Sequence, residues 1–127
     1  MRKITSRCAV VVLVGAVACH RIDDDDLAGR YGFERDSVHV DLEINRDHTY
    51  KETATDGRES KKATGAWKYV DGPRDLSLLD VWVPVVPLGS ERVQLRKDQL
   101  RTFHVDPCGG KLCLSFDDDN QLQFVGK

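Results

Sequence analysis

Apolar and polar residues alternate along most of the chain beyond Leu27. Val38, Val40, Leu42 and Ile44 are separated by His39, Asp41 and Glu43. A period of two sends one set of side chains to a buried face and the other to solvent, so this run predicts a strand. Asn45-Arg46-Asp47 predicts a turn, because Asn and Asp bond their own backbone there. Residues 48–54 continue as a strand carrying Thr49, Tyr50 and Thr53. Asp56-Gly57 is a hairpin signal. Residues 64–70, with Trp67 and Tyr69, form the next strand, and Asp71-Gly72-Pro73 ends it.

Residues 76–83 also alternate, but the apolar face switches midway. Leu76 and Leu78 share one parity, and Leu79, Val81 and Val83 share the other, which predicts a bulge near Leu78-Leu79. Pro84 and Pro87 argue against a central strand and predict an apolar loop, Val85-Val86-Pro87-Leu88-Gly89. Further short strands are expected around Val93 and Leu95, around Phe103 and Val105, across Leu112, Leu114 and Phe116, and at Leu122 and Phe124. One stretch, residues 91–103, also fits a helix loosely. Eight or nine short strands with connections of two to five residues favour antiparallel neighbours. The expected fold is all-β: a small antiparallel meander closing into a barrel or packed sheet of about eight strands.

The chain has 127 residues, 31% charged and 40% hydrophobic, an ordinary globular balance for one domain. It begins differently from the rest. Residues 1–7 contain Arg2, Lys3 and Arg7 and no acid, and an apolar run follows from Cys8 to Cys19. A basic start and a short apolar core read as a secretory signal. Twelve helical residues rise about 18 Å, too short for a hydrocarbon core of about 30 Å. Without those three cations, 16 basic residues face 21 acidic ones, a net charge of −5. A basic excess, expected of a nucleic-acid binder, is absent.

The apolar run ends Ala16-Val17-Ala18-Cys19, which resembles the lipobox of bacterial lipoproteins. The resemblance implies cleavage before Cys19 and a thioether-linked lipid on its sulfur. Ala16-x-Ala18 is also an ordinary cleavage site, and both routes leave the same mature N-terminus. The expected organisation is a signal peptide at residues 1–18, a lipidated N-terminus and acidic tether at 19–27, and one β domain at 28–127. His20, where inner-membrane lipoproteins of many Gram-negative bacteria carry aspartate, points to the outer membrane, with the domain facing the periplasm. Asp23-Asp24-Asp25-Asp26 resembles acidic surface-export signals in some bacterial groups. The same run also reads as four carboxylates that repel one another and keep a tether extended.

The body carries a second resemblance. Leu27-Ala28-Gly29-Arg30-Tyr31, then Leu42 through Tyr50, then Gly65-Ala66-Trp67 is similar to the opening of small lipocalin-like bacterial lipoproteins. Their pattern is L-x-G-x-Y, L-x-L-x-x-D-G-T-Y and G-x-W, and here His48 stands at the turn glycine. The likeness implies a barrel and names no ligand. The copper-linked lipoproteins with such an opening carry C-x-x-C early in the barrel. This chain does not, so no metal or other cofactor is expected.

Cys108 and Cys113 remain for an oxidising compartment and predict a disulfide. A hairpin with four loop residues would place them directly opposite, about 4.5 Å apart at Cα, within disulfide reach. The rival is a soft-metal site of Cys108, Cys113 and His104, short of the four ligands structural zinc takes. Asp117-Asp118-Asp119-Asn120 reads as a turn, since the sixth position of a calcium loop would fall on Leu122. His39 shares the solvent parity with Asp41 and Glu43, and His48 falls in a turn. No nucleophile elbow, phosphate loop or zinc helix motif occurs, so no catalytic residue is assigned.

The loop around Val83, Val85, Val86 and Leu88, with Trp82 beside it, either plugs a barrel end or stands exposed as a partner contact. Trp67 and Trp82 are expected in the core. The leading functional expectation is a lipid-anchored envelope module that binds another protein in an accessory, inhibitor or immunity role. The alternative is a lipocalin-like carrier of a small apolar ligand. A hydrolytic enzyme ranks third.

Overall fold

The computed structural model describes residues 21–127. The expected signal peptide, Cys19 and His20 lie outside the described residues. A one-turn helix, α1 (Asp24–Leu27), precedes eight strands: β1 (Gly29–Arg35), β2 (Val38–Ile44), β3 (Thr49–Thr55), β4 (Ser60–Val70), β5 (Asp75–Val85), β6 (Gln94–Cys108), β7 (Lys111–Asp117) and β8 (Leu122–Gly126). Each strand pairs antiparallel with the next, and β8 returns to β1 through Tyr31↔Gly126 and Gly32↔Val125. The sheet is therefore a closed up-and-down barrel.

Alternation dictates the wall. In β2, Val38, Val40, Leu42 and Ile44 point inward and are at most 2% exposed. In β3 the inward set is Tyr50, Glu52 and Ala54. Phe33, Phe103, Phe116 and Phe124 meet inside the barrel with ring centroids 5.2–6.4 Å apart. Trp67 packs in the core and its indole N–H donates to the Asn45 carbonyl at 2.9 Å. The axis is filled with side chains, as expected for a barrel of about eight strands.

Several sequence expectations change. The face switch in β5 is real, but it spans two exposed residues, Leu79 and Asp80, between inward Leu78 and Val81. Asp80 takes φ +54° to make it. Pro84 does not end the strand: it lies within β5, opposite Leu95. At that level β5 pairs with β6 alone, so its other edge is free to carry a residue without an N–H. Instead of two short strands at 93–95 and 103–105, or a loose helix at 91–103, one continuous 15-residue strand, β6, begins at Gln94, just after Val93. Arg96, Asp98 and Arg101 interrupt its apolar alternation, which hid the strand.

The hairpin at the cysteines is tighter than expected. Gly109 and Gly110, at φ +61° and +84°, form a two-residue turn that sets Cys108 opposite Lys111. Positive φ at both centres is what the right-handed strand twist asks of such a turn. Cys113 lies opposite Asp106, so Cys108–Cys113 is a diagonal disulfide with Cα atoms 5.6 Å apart. The bonded sulfurs are not available as metal ligands.

The acidic segment is not extended within residues 21–27. Ile22 and Leu27 are 2% and 0% exposed, so the packed domain starts before the expected boundary at residue 28. Asp23 and Asp26 cap each other across α1, with the Asp23 N–H donating to Asp26 Oδ2 at 2.9 Å. Local backbone donors hold the carboxylates in a turn that repulsion alone would stretch. No described helix is long and apolar enough to cross a membrane.

Candidate functional site

Both barrel ends are closed, by different means. At one end Ile22 and Leu27 insert into the core. The Ile22 N–H donates to Asp71 Oδ1 at 3.1 Å, and Tyr31 Oη donates to the Leu27 carbonyl at 2.7 Å. His48 sits on this rim at φ +66°, where the resemblance expects glycine. Its ring lies 4.5 Å from that of Trp67, and its Nε2 is 2.8 Å from Asp24 Oδ2. Those contacts offset a backbone conformation that costs a non-glycine residue about 1 kcal/mol or more.

The other end is covered by the far half of the β5–β6 hairpin. β4 pairs with β5 only from Trp67↔Leu78 to Val70↔Asp75, and β6 pairs with β7 only from His104 onward. From Leu79↔Leu100 to Val85↔Gln94 the two strands therefore run as a ribbon paired only with each other. Its inner residues Val81 and Val83, together with Val93 in the connection, belong to the barrel core.

Side chains from the wall hold the ribbon by its backbone. The Val93 N–H donates to Asp36 Oδ2 at 2.8 Å. Tyr50 Oη donates to the Leu79 carbonyl and lies 3.0 Å from that of Asp80. The Trp82 N–H donates to Glu52 Oε1 at 2.8 Å. Tyr50 and Glu52 stand on β3, opposite Gly65 and Ala63 of β4, and they cross these small residues to reach β5. A Cβ at position 65 would come within 2.9 Å of the Tyr50 ring and 3.0 Å of the Leu79 carbonyl, so only glycine fits.

Glu52 is the exceptional group. It is 2% exposed, and its Oε2 has no hydrogen-bond partner among the described residues. Burial pushes its pKa up to about 7, against the smaller opposing pull of the Trp82 N–H and the Lys97 charge. Near neutrality the carboxyl is therefore partly protonated. Nothing in the sequence reading singled it out. Its parity with Tyr50 and Ala54 was the available signal.

The outer face of the ribbon is apolar and basic. Leu79 and Leu100 are directly opposite and stay 47% and 59% exposed. Trp82 is half-buried, with Lys61 Nζ 4.7 Å and Lys97 Nζ 5.4 Å from its ring centroid. Arg96 bonds Asp98 at 2.8 Å, and Arg101 bonds the Phe116 carbonyl at 2.7 Å. These charges and Pro84 blunt the ribbon edges against unwanted strand pairing.

The residues first singled out for partner contact separate. Val83 is buried in the core, Val85 and Val86 are half-buried, and Leu88 is fully exposed. The histidines do not converge. His39 lies 3.3 Å from Glu34 and 3.4 Å from Asp41, and His104 lies 3.3 Å from Asp106. Asp117 closes its turn by accepting from the Asn120 side chain at 2.8 Å. Among the described residues no group of three or more His, Cys, Asp or Glu is placed to hold a metal ion. Compared with protein-family models, curated proteins and solved structures, the chain gives no significant match.

Proposed function

We propose that this protein is a lipid-anchored binding module of the bacterial envelope, tethered through Cys19, that grips another protein with the outer face of the β5–β6 ribbon. The observation that carries the reading is the exposed Leu79–Leu100 pair beside Trp82, Lys61 and Lys97. Apolar side chains that a barrel leaves in solvent, with an aromatic residue between cations, fit an apolar and acidic counter-surface. Leu88, fully exposed in the connection beyond β5, adds an apolar contact at the ribbon tip. The lipobox at residues 16–19 supplies the anchor. The filled aromatic interior weighs against a carrier, which needs an empty apolar cavity.

Native mass spectrometry of the protein extracted gently from its own membrane tests this reading. The expected spectrum shows a lipid adduct, a mass two hydrogens short for the disulfide, and a protein bound in fixed stoichiometry. Replacing Leu79 and Leu100 by Ser should release that partner while the fold is kept. An unlipidated chain holding a small apolar molecule, or a partner indifferent to both substitutions, would overturn the proposal.

A further inference from the structure

We propose that the β5–β6 ribbon is a lid latched by the neutral Glu52 carboxyl, and that loss of the Glu52 proton to solvent unlatches it. The inference does not depend on the binding role.

The geometry carries it. The ribbon lacks strand neighbours on both edges from Leu79↔Leu100 outward, so wall side chains must tie it to the barrel. Its backbone is held from the β3 side by Tyr50 and Glu52, and near the tip by Asp36. Of the two β3 groups only Glu52 changes charge in the ordinary pH range. In its neutral form Oε1 accepts the Trp82 N–H and the proton rests on Oε2, which faces no acceptor. That leaves one polar atom unsatisfied, a cost of about 1–3 kcal/mol. Ionised, the same site would hold a full negative charge against a single N–H donor. A buried, weakly paired charge is far costlier, and admitting water relieves it. Oε2 is shielded from solvent in the closed structure, and lifting Trp82 with its flanking strand would admit water to it.

The charged groups around Glu52 do not remove this conflict. On β3, Tyr50 has a phenol pushed further up by burial and by Glu52 itself. On β5, the Asp80 charge acts on the Tyr50 phenol and offers Glu52 no compensation. On β4, Lys61 lies over the Trp82 ring and within 3.3 Å of Glu59. On β6, Lys97 favours the ionised form, but its effect is smaller than that of burial. Arg96 and Arg101 of β6 are both engaged with Asp98.

Amide hydrogen exchange by NMR between pH 5.5 and 8.5 tests the latch, with rates corrected for intrinsic chemistry. The readout is protection of the Trp82 N–H relative to Val40, which sits in the wall between β1 and β3. In the wild type this ratio should fall about tenfold or more across the range, and in Glu52→Gln it should stay level. A level ratio in the wild type, or the same fall in Glu52→Gln, would overturn the latch. If Glu52→Gln does not fold, the wild type decides alone. The midpoint of the Trp82 change must coincide with that of the Glu52 carboxyl carbon shift, and separate midpoints would overturn the proposal.

Discussion

The two ends of the barrel solve one problem with different chemistry. At the α1 end, Ile22 and Leu27 supply the apolar cover; the carboxylates that help position them, Asp71 and Asp24, lie toward solvent, and the buried polar contact, from Tyr31 Oη to the Leu27 carbonyl, comes from a neutral phenol. At the ribbon end, Val81, Val83 and Val93 supply the cover, but one polar contact comes from a carboxyl sealed inside. Water screens exposed ionisable groups, so losing one costs little. A buried one has no such buffer. The α1 end should therefore respond mainly to loss of apolar volume, and the ribbon end to proton concentration as well.

The largest break of this symmetry is predicted at Leu27. Leu27→Ala leaves a void in the plug, and the chemical-denaturation midpoint should report a loss of about 2–4 kcal/mol, equal at pH 5 and pH 8. A loss that varies strongly with pH would mean the α1 end is also proton-linked.

Next comes the pH dependence of the ribbon end. The ordinary Glu52 value is 4.5 and its folded value is about 7. Between them the folded chain keeps a proton that the unfolded chain has released. Stability from this group is full below about pH 4.5, declines as pH rises, and levels off above about pH 7, a loss of about 3 kcal/mol. Denaturation at several pH values should show this slope in the wild type. The difference from Glu52→Gln isolates it from carboxyls such as Asp41, whose pKa is lowered by the Lys127 hydrogen bond and whose stabilisation is lost on acidification instead.

Reduction of Cys108–Cys113 is expected to cost about 2 kcal/mol, because the closed loop is short. The hairpin belongs to the α1 end, so Trp82 exchange should remain unchanged when the disulfide is opened. The smallest effect is expected for Asp24→Asn, which removes the negative charge from the exposed contact to His48. Its cost should stay below about 1 kcal/mol and shrink further in high salt.

Much of the wall was legible. Val38, Val40, Leu42 and Ile44 show a clean period of two, and the parity change from Leu78 to Val81 marked the face switch, though not as the expected bulge, because the β5–β6 register runs through it without an extra residue. Both are local, since alternation needs only the next few residues. β6 was misread because Arg96, Asp98 and Arg101 stand opposite Val83, Val81 and Leu78, at register positions where alternation calls for apolar side chains. Pro84 misled for a related reason: whether a strand tolerates proline depends on which edge has a neighbour. The cysteine pairing was legible, but its diagonal register waited on the Gly109-Gly110 turn.

The sequence by itself determined a β meander, its main turns and a disulfide, since these follow from side-chain parity, φ preferences and short separations along the chain. It also carries the expectation of an anchor at Cys19. Only the tertiary structure decided that the meander closes, that Ile22 and Leu27 enter the core, and that residues 79–100 fold over the open end. It also brought Glu52 across Ala63 to the Trp82 N–H, 30 residues away in sequence. No local pattern encodes that contact. A carboxyl on a strand looks solvated until packing from other strands removes the water, and only then does its proton matter.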